Sequence, residues 1–255
     1  MTTTSFETFG ESHLLMLALF VVGIWPVILL GRRQRSAADP RRVSRWFAVA
    51  IMCFTIPMQL VDLMPRQFDF NTTLPLQLCD FAWIAAVLGL LTHHRFFVAL
   101  TYFWGLALTT QGLLTPWLTA DIPNPKYIGF WGMHILIVWA AIYLIWGLGL
   151  NPKWRDYATT VVTTLTWAVA VYTFNILFGT NYGFLNDKPG AGSILDYLGP
   201  WPSYVLVEVI IVAGAWALMT WALMTRALMT WPGTQQEEWG TDSAPRGQLP
   251  HRTNG

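Results

Sequence analysis

Residues 127–148 read YIGFWGMHILIVWAAIYLIWGL and contain no Asp, Glu, Lys or Arg. A helix of this length, at 1.5 Å per residue, crosses the roughly 30 Å hydrocarbon core of a bilayer. The whole chain has the same character, because 54% of its 255 residues are hydrophobic and 11% are charged, against about 25% charged residues in a soluble domain. The composition therefore predicts an all-α polytopic membrane protein, with membrane lipids and not nucleic acid as partners.

Seven apolar runs are long enough to span a bilayer. We therefore expect about seven transmembrane helices in one domain, residues 1–231, followed by a polar, disordered cytoplasmic tail at 232–255. An ALMT unit occurs three times at the end of the last run, and its five-residue period does not match a 3.6-residue helix, so we assign it no function. The runs cover about residues 13–30, 44–64, 74–91, 96–115, 128–149, 157–178 and 201–224.

The loop charges predict the orientation. The first loop, residues 31–45, carries six Arg, and loops with an excess of Lys and Arg stay in the cytoplasm. With that loop inside, 12 of the 15 basic residues lie on the cytoplasmic side, and only Arg66, Lys126 and Lys188 lie outside. The N-terminus is therefore predicted outside and the C-terminus inside, in a multi-pass protein of the cell membrane.

Strong polar side chains are concentrated in the outer halves of these spans. A charged group in hydrocarbon costs a few kcal/mol, so each is a candidate for function. Residues near helix ends can instead extend into the headgroup region, and deeper ones can form hydrogen bonds between helices. The candidates are Gln59, Asp62, Gln77, Cys79, Asp80, Gln111, His134, Asn175 and Glu208.

Cys79 and His134 are predicted at matching depth, about five and six residues from the outer ends of their spans. A thiol beside an imidazole can serve as nucleophile and base, and a carboxylate such as Glu208 or Asp62 can orient the imidazole. Asp80 opposes ionisation of the thiol if it is charged and close. Buried free cysteines are also often inert, so the pair remains open to a structural interpretation.

The remaining candidates suit a supporting role. Gln77, Gln111 and Asn175 carry amide groups that can donate hydrogen bonds to an oxyanion. No HExxH or paired-cysteine spacing is present, so we expect neither a metal ion nor a cofactor.

Several stretches resemble the YwaF-like integral membrane proteins, which belong with eukaryotic transmembrane protein 164. They are LPLQLCD, YFWGLALTTQGLLTP, FWGMHILIVWAAIYL, NILFGTNYGFLNDKP and LGPWPSY, and the resemblance runs from about residue 11 to 208. It implies a multi-span helical fold and, for the eukaryotic relatives, lipid acyl transfer by residues that match Cys79 and His134. The chain departs at Gln77, where we expect the family to have histidine.

Two functions follow as hypotheses. The first is a lipid acyltransferase or lipid hydrolase that uses Cys79 and His134 in the outer leaflet. The second is a transporter, or a lipid- or solute-binding membrane protein, without catalysis. The inner halves of the spans are apolar, which argues against a continuous pathway for a polar solute. The acyl donor, the acceptor and the oligomeric state are left open by the sequence.

Overall fold

The computed structural model describes residues 6–116, 118, 121–190 and 194–229, and it confirms the predicted helical bundle. No β-strand occurs among the described residues. The tail predicted for residues 232–255 lies outside them, and the orientation of the termini stays a prediction. The long helices are α1 (Glu11–Arg35), α2 (Arg42–Asp62), α3 (Leu78–Thr92), α4 (Arg95–Leu114), α5 (Pro125–Gly147), α6 (Trp154–Phe178) and α7 (Ser203–Met229).

Six of these helices are long and apolar enough to cross a membrane, and α3 is shorter. α3 has 15 residues, about 22 Å at 1.5 Å per residue, which is less than the hydrocarbon thickness. Its span was predicted from residue 74, but residues 74–77 are not helical. The helix starts after Gln77 because the carboxylate of Asp80 accepts the Gln77 backbone N–H at 3.0 Å, which caps the first turn.

The helices form a buried interior and a lipid-facing exterior. In the most apolar 18-residue stretches of α4 and α5, 56% and 61% of the residues are buried. The buried fraction is only 6% in the corresponding stretch of α1 and 11% in those of α6 and α7. The interior is filled by large side chains such as Phe103, Trp104 and Tyr143. The outer helices expose Leu, Val and Ile side chains, as expected where the surrounding solvent is lipid.

Two helices contain π-helical turns. In α4 the π segment is Trp104–Thr109 and in α5 it is Tyr143–Gly147. Such turns are rare and are often found at functional sites. The segment in α4 ends immediately before Thr110–Leu114, the short stretch that carries Gln111, so it sets the direction in which that side chain points.

Glycines permit the contact between α1 and α5. A Cβ atom on Gly31 would lie 2.4 Å from the Cα of Gly147, which is closer than real Cβ atoms approach backbone. The two helices therefore pack with their backbones nearly touching, as small residues allow between membrane helices.

Gly31→Ala is expected to destabilise the protein, because its methyl group must push α1 away from Gly147. We expect a loss on the order of 1–3 kcal/mol, seen as a lower midpoint of thermal unfolding in detergent. Gly214→Ala is the matched control, because a Cβ there has nothing within 4 Å. An equal loss in both variants would contradict the close approach.

A partly buried polar chain joins α2, α5 and the residue that ends α3, at the end of the bundle opposite Cys79. The ring Nε2 of His93 lies 2.9 Å from the hydroxyl of Ser44, which lies 3.0 Å from the hydroxyl of Tyr143. Burial, and secondly the nearby charge of Arg41, lower the pKa of His93 from 6.5 to about 4. The folded state therefore favours the neutral imidazole.

Stability is expected to fall as the pH drops from about 6.5 towards 4. In this window the unfolded chain binds a proton at His93 and the folded chain does not, so acid favours unfolding. His93→Asn removes this titration, and the difference between its thermal midpoints at pH 7 and pH 5 should be smaller than in the wild type. His94→Asn, at an exposed neighbour, should keep the wild-type difference.

Candidate functional site

A cleft of about 310 Å³ lies between α3, α4, α6 and α7 and is bordered at one end by the loop that follows α6. Along α7 its lining runs from Val205 to Trp216, about 17 Å at 1.5 Å per residue, or roughly half of the hydrocarbon core. This length and an apolar lining suit an acyl chain from one leaflet. Its apolar wall includes Leu108, Val161, Leu165, Val209, Val212 and Ala213.

Four of the residues predicted from the sequence line this cleft together. They are Gln77 and Cys79 from the start of α3, Gln111 from α4 and Glu208 from α7. Cys79 is a free thiol, partly exposed, in the first turn of its helix. The cleft thus combines an apolar channel with polar groups from three helices.

The first turn of α3 is held in place by hydrogen bonds on both sides. Asp80 caps the Gln77 backbone and also accepts from the side-chain amide of Gln59 on α2 at 2.9 Å. The side-chain oxygen of Gln77 accepts the backbone N–H of Gly183 at 3.0 Å, which ties the turn to the loop after α6. Asp80 and Gln59 therefore position Cys79, and neither lines the cleft.

His134 is buried in α5, with 4% of its surface exposed. Its Nδ1 lies 2.7 Å from the carbonyl oxygen of Phe130, and because a carbonyl can only accept, Nδ1 must carry a proton. The neutral ring then has a lone pair on Nε2, the form that a general base requires. The ring also stacks on Phe130 with centroids 4.0 Å apart, which fixes its plane.

Gly112 connects His134 with the cleft. A Cβ atom on this residue would lie 3.4 Å from the His134 Nε2, so the ring faces a glycine that itself lines the cleft. Among the described residues His134 does not line the cleft and forms no hydrogen bond with Cys79. Sequence reasoning did not single out Gly112, although an isolated glycine inside a helical pattern, as in TTQGLL, is a recognisable signal of close packing.

Glu208 places a carboxylate on the cleft wall. It lies in the second turn of α7 and is partly exposed to the cleft. Within the part of the chain that the structure describes, Glu208 has no hydrogen-bond partner and belongs to neither the Arg45–Asp39 nor the Arg95–Asp156 ion pair. It is available to bind a ligand. No group of three or more His, Cys, Asp or Glu side chains among those residues is arranged to hold a metal ion.

Two further predicted residues, Asn175 and Asp62, also lie away from the cleft. Asn175 is buried at the end of α6, where its side-chain oxygen accepts the Thr180 hydroxyl at 2.8 Å and the Tyr182 backbone N–H at 2.9 Å. It therefore shapes the loop that borders the cleft. Asp62 is the last residue of α2 and does not line the cleft.

These features define a multi-pass helical membrane protein with a cleft inside its transmembrane region. The TMEM164 family model matches residues 8–220, so the chain belongs to the TMEM164 family. This agrees with the resemblance of the LPLQLCD and NYGFLNDKP stretches to the YwaF-like proteins and transmembrane protein 164. Neither the comparison with curated proteins nor that with solved structures gives a match.

Access to Cys79 through the cleft can be tested by thiol labelling. In a Cys53→Ser background Cys79 is the only thiol, because the chain has two cysteines. Ala213→Phe fills the cleft and should slow labelling by N-ethylmaleimide severalfold. Ile210→Phe, on the same turn of α7 but 70% exposed to the outside, should not. Equal rates in the two variants would mean that the reagent reaches Cys79 by another path.

Proposed function

We propose that this protein transfers or hydrolyses an acyl group of a membrane lipid in the cell membrane, with Cys79 as the nucleophile and His134 as the base. The observation that carries the proposal is the position of Gly112. This residue lines the apolar cleft together with Cys79, and a Cβ atom on it would lie 3.4 Å from the Nε2 of His134. Gly112, which has no side chain, separates the ring of the proposed base from the cleft that holds the proposed nucleophile.

The chemistry would proceed in two steps. The Nε2 of His134 takes the proton of the Cys79 thiol, directly or through one water molecule, and the sulfur bonds to the carbonyl carbon of the lipid ester. The carbon–oxygen bond of the ester breaks, and the leaving lysolipid oxygen receives the proton from the imidazolium. A lipid hydroxyl or water then attacks the thioester and gives its proton to His134. The carbon–sulfur bond breaks, and the departing Cys79 sulfur takes that proton back from the imidazolium, which regenerates the thiol and the neutral base.

Two amide groups are available for the oxyanion that forms on the carbonyl oxygen. The side-chain oxygen of Gln77 already accepts from Gly183, which leaves its NH₂ group as a donor at the cleft. Gln111 lies on α4, and its side chain has no hydrogen-bond partner among the described residues. Preorganised donors of this kind stabilise developing negative charge, and loss of one donor typically costs 10²–10³ in rate.

The chemical test is a phospholipid with a labelled acyl chain, reconstituted in vesicles with the purified protein. Cys79→Ser should abolish the covalent acyl-enzyme and the labelled product, whereas Cys53→Ser should keep both. His134→Gln should lower the rate by about 10²–10⁴, the usual contribution of a general base. If Cys79→Ser is acylated as well as the wild type by a thiol-reactive acyl probe, the nucleophile assignment is wrong.

Gly112→Val tests the route between Cys79 and His134. The new side chain would come between the His134 ring and the cleft, since a Cβ alone lies 3.4 Å from Nε2. We expect product formation to fall about as far as in His134→Gln, with the protein still folded by gel filtration. Gly190→Val is the control, because a Cβ there has nothing within 4 Å. Unchanged turnover in Gly112→Val would exclude this route.

Lipid binding or transport without catalysis is the second candidate, and Glu208 favours it. The proposed acyl transfer uses Cys79 and His134 and needs no carboxylate. Glu208 nevertheless lies on the cleft wall, without a hydrogen-bond partner among the described residues. Binding alone predicts that Cys79→Ala keeps lipid uptake or binding and that Glu208→Gln loses it. Acyl transfer predicts the loss of product in Cys79→Ala.

A further inference from the structure

The cleft beside Cys79 is bounded at one end by two tryptophans. Trp216 is the last residue of α7 that lines the cleft, and its ring nitrogen donates to the carbonyl of Phe103 on α4 at 3.1 Å. The ring nitrogen of Trp104, also on α4, donates to the hydroxyl of Thr164 on α6 at 2.9 Å. The two rings thereby join α7 to α4 and α4 to α6 across the end of the cleft. We call Trp104 and Trp216 the floor of the cleft.

Aromatic packing holds this floor in place. Both tryptophans are buried, with 3% of Trp104 and 1% of Trp216 exposed. The ring of Phe103 lies against Trp216 with centroids 5.5 Å apart and against Tyr157 on α6 at 6.3 Å. An indole that swings aside would lose both its hydrogen bond and its packing, and each stabilises the observed position. The floor is therefore a fixed boundary of the cleft.

The polar atoms of the floor are all used within the protein. Both indole N–H groups donate to neighbouring helices. The hydroxyl of Thr164, which lines the cleft, donates to the carbonyl of Thr160 at 2.8 Å while it accepts from Trp104. A ligand therefore finds aromatic surface here and no polar group to bind, so an apolar end suits this part of the cleft. Gln111 and Glu208 lie further towards the other end.

The floor stands a limited distance from the level of the proposed reaction. Eight residues of α7 separate Glu208 from Trp216, and eight residues of α4 separate Trp104 from Gly112. Either separation is about 12 Å along the helix axis at 1.5 Å per residue. One leaflet contributes roughly 15 Å of hydrocarbon. An extended chain that fills a leaflet is therefore too long for the space between Gly112 and the floor.

We propose that the floor limits the length of the acyl chain that the cleft accepts, and that Trp216 is the residue that sets the limit. Trp216 lines the cleft itself, whereas Trp104 closes the space behind it. Carbons of a longer chain stay outside the cleft and gain no burial there. The proposal rests on the binding of an acyl chain in the cleft, which both functions considered above require, and not on the chemistry at Cys79.

The experiment measures how saturated primary alcohols, from decanol to octadecanol, protect Cys79 from N-ethylmaleimide. The protein is the full chain in detergent, in the Cys53→Ser background. In Trp216→Ala, octadecanol should protect at a severalfold lower concentration than in the parent protein, because the space of the indole admits more of the chain. Decanol, which does not reach the floor, should protect no better than in the parent. Comparison at one chain length cancels the partitioning of the alcohol into micelles.

Two further variants complete the test. Trp221→Ala removes a tryptophan that is 59% exposed on the same helix, and it should keep the parent's dependence on chain length. Val212→Phe fills the cleft one turn above the floor, so octadecanol should protect severalfold less well and decanol should be affected less. This variant makes the opposite prediction and replaces Trp216→Ala should that protein fail to fold.

The outcomes separate the floor from the chemistry. An unchanged dependence on chain length in Trp216→Ala and Val212→Phe would overturn the proposal, as would an equal change in Trp221→Ala or the failure of every alcohol to protect Cys79. A length limit that moves as expected, in a protein that forms no acyl product from any labelled phospholipid, would support the floor and count against acyl transfer.

Discussion

The carboxylate of Asp80 is the group on which the candidate site depends. It accepts the Gln77 backbone N–H, which starts α3, and the side-chain amide of Gln59, which fixes that start against α2. Within a membrane the first N–H groups of a helix have no water to bind, so an internal acceptor is needed. The same turn then presents Cys79 to the cleft, and Gln77 links it to the loop after α6.

Much of the fold and part of the site could be predicted from sequence. Apolar runs locate the helices because hydrocarbon permits few other backbone structures. Counting residues along each span gives depth, and Gln111, Glu208 and Cys79, all predicted in the outer halves of their spans, line the same cleft. Depth does not give direction around the helix axis, so Asn175, at similar depth, belongs instead to the loop network. Gly112 could not be predicted as a site residue because it carries no functional group; its importance lies in the space that the missing side chain leaves for the His134 ring.

His13 and His134 differ in whether their hydrogen bonds leave a ring nitrogen free to act as a base. His13 accepts the Phe9 backbone N–H at Nδ1, and its Nε2 lies 2.9 Å from the Leu113 carbonyl, so both nitrogens are occupied. In His134 only Nδ1 is occupied, by Phe130. A sequence cannot distinguish these cases, because both histidines begin as polar residues near the outer end of an apolar run. The difference comes from tertiary contacts, which fix the tautomer.

The π-helical turn in α4 has a consequence for how the cleft can change. Helical residues succeed one another by about 100° around the axis, and a π turn takes up one extra residue within a turn. A change of Trp104–Thr109 to regular α-helical geometry, with no residue lost, would therefore rotate everything after it by about that angle. Gln111 and Gly112 would then turn away from the cleft while every amino acid at the site stayed the same. The groups that α4 presents to the cleft thus depend on its backbone geometry as well as on its sequence.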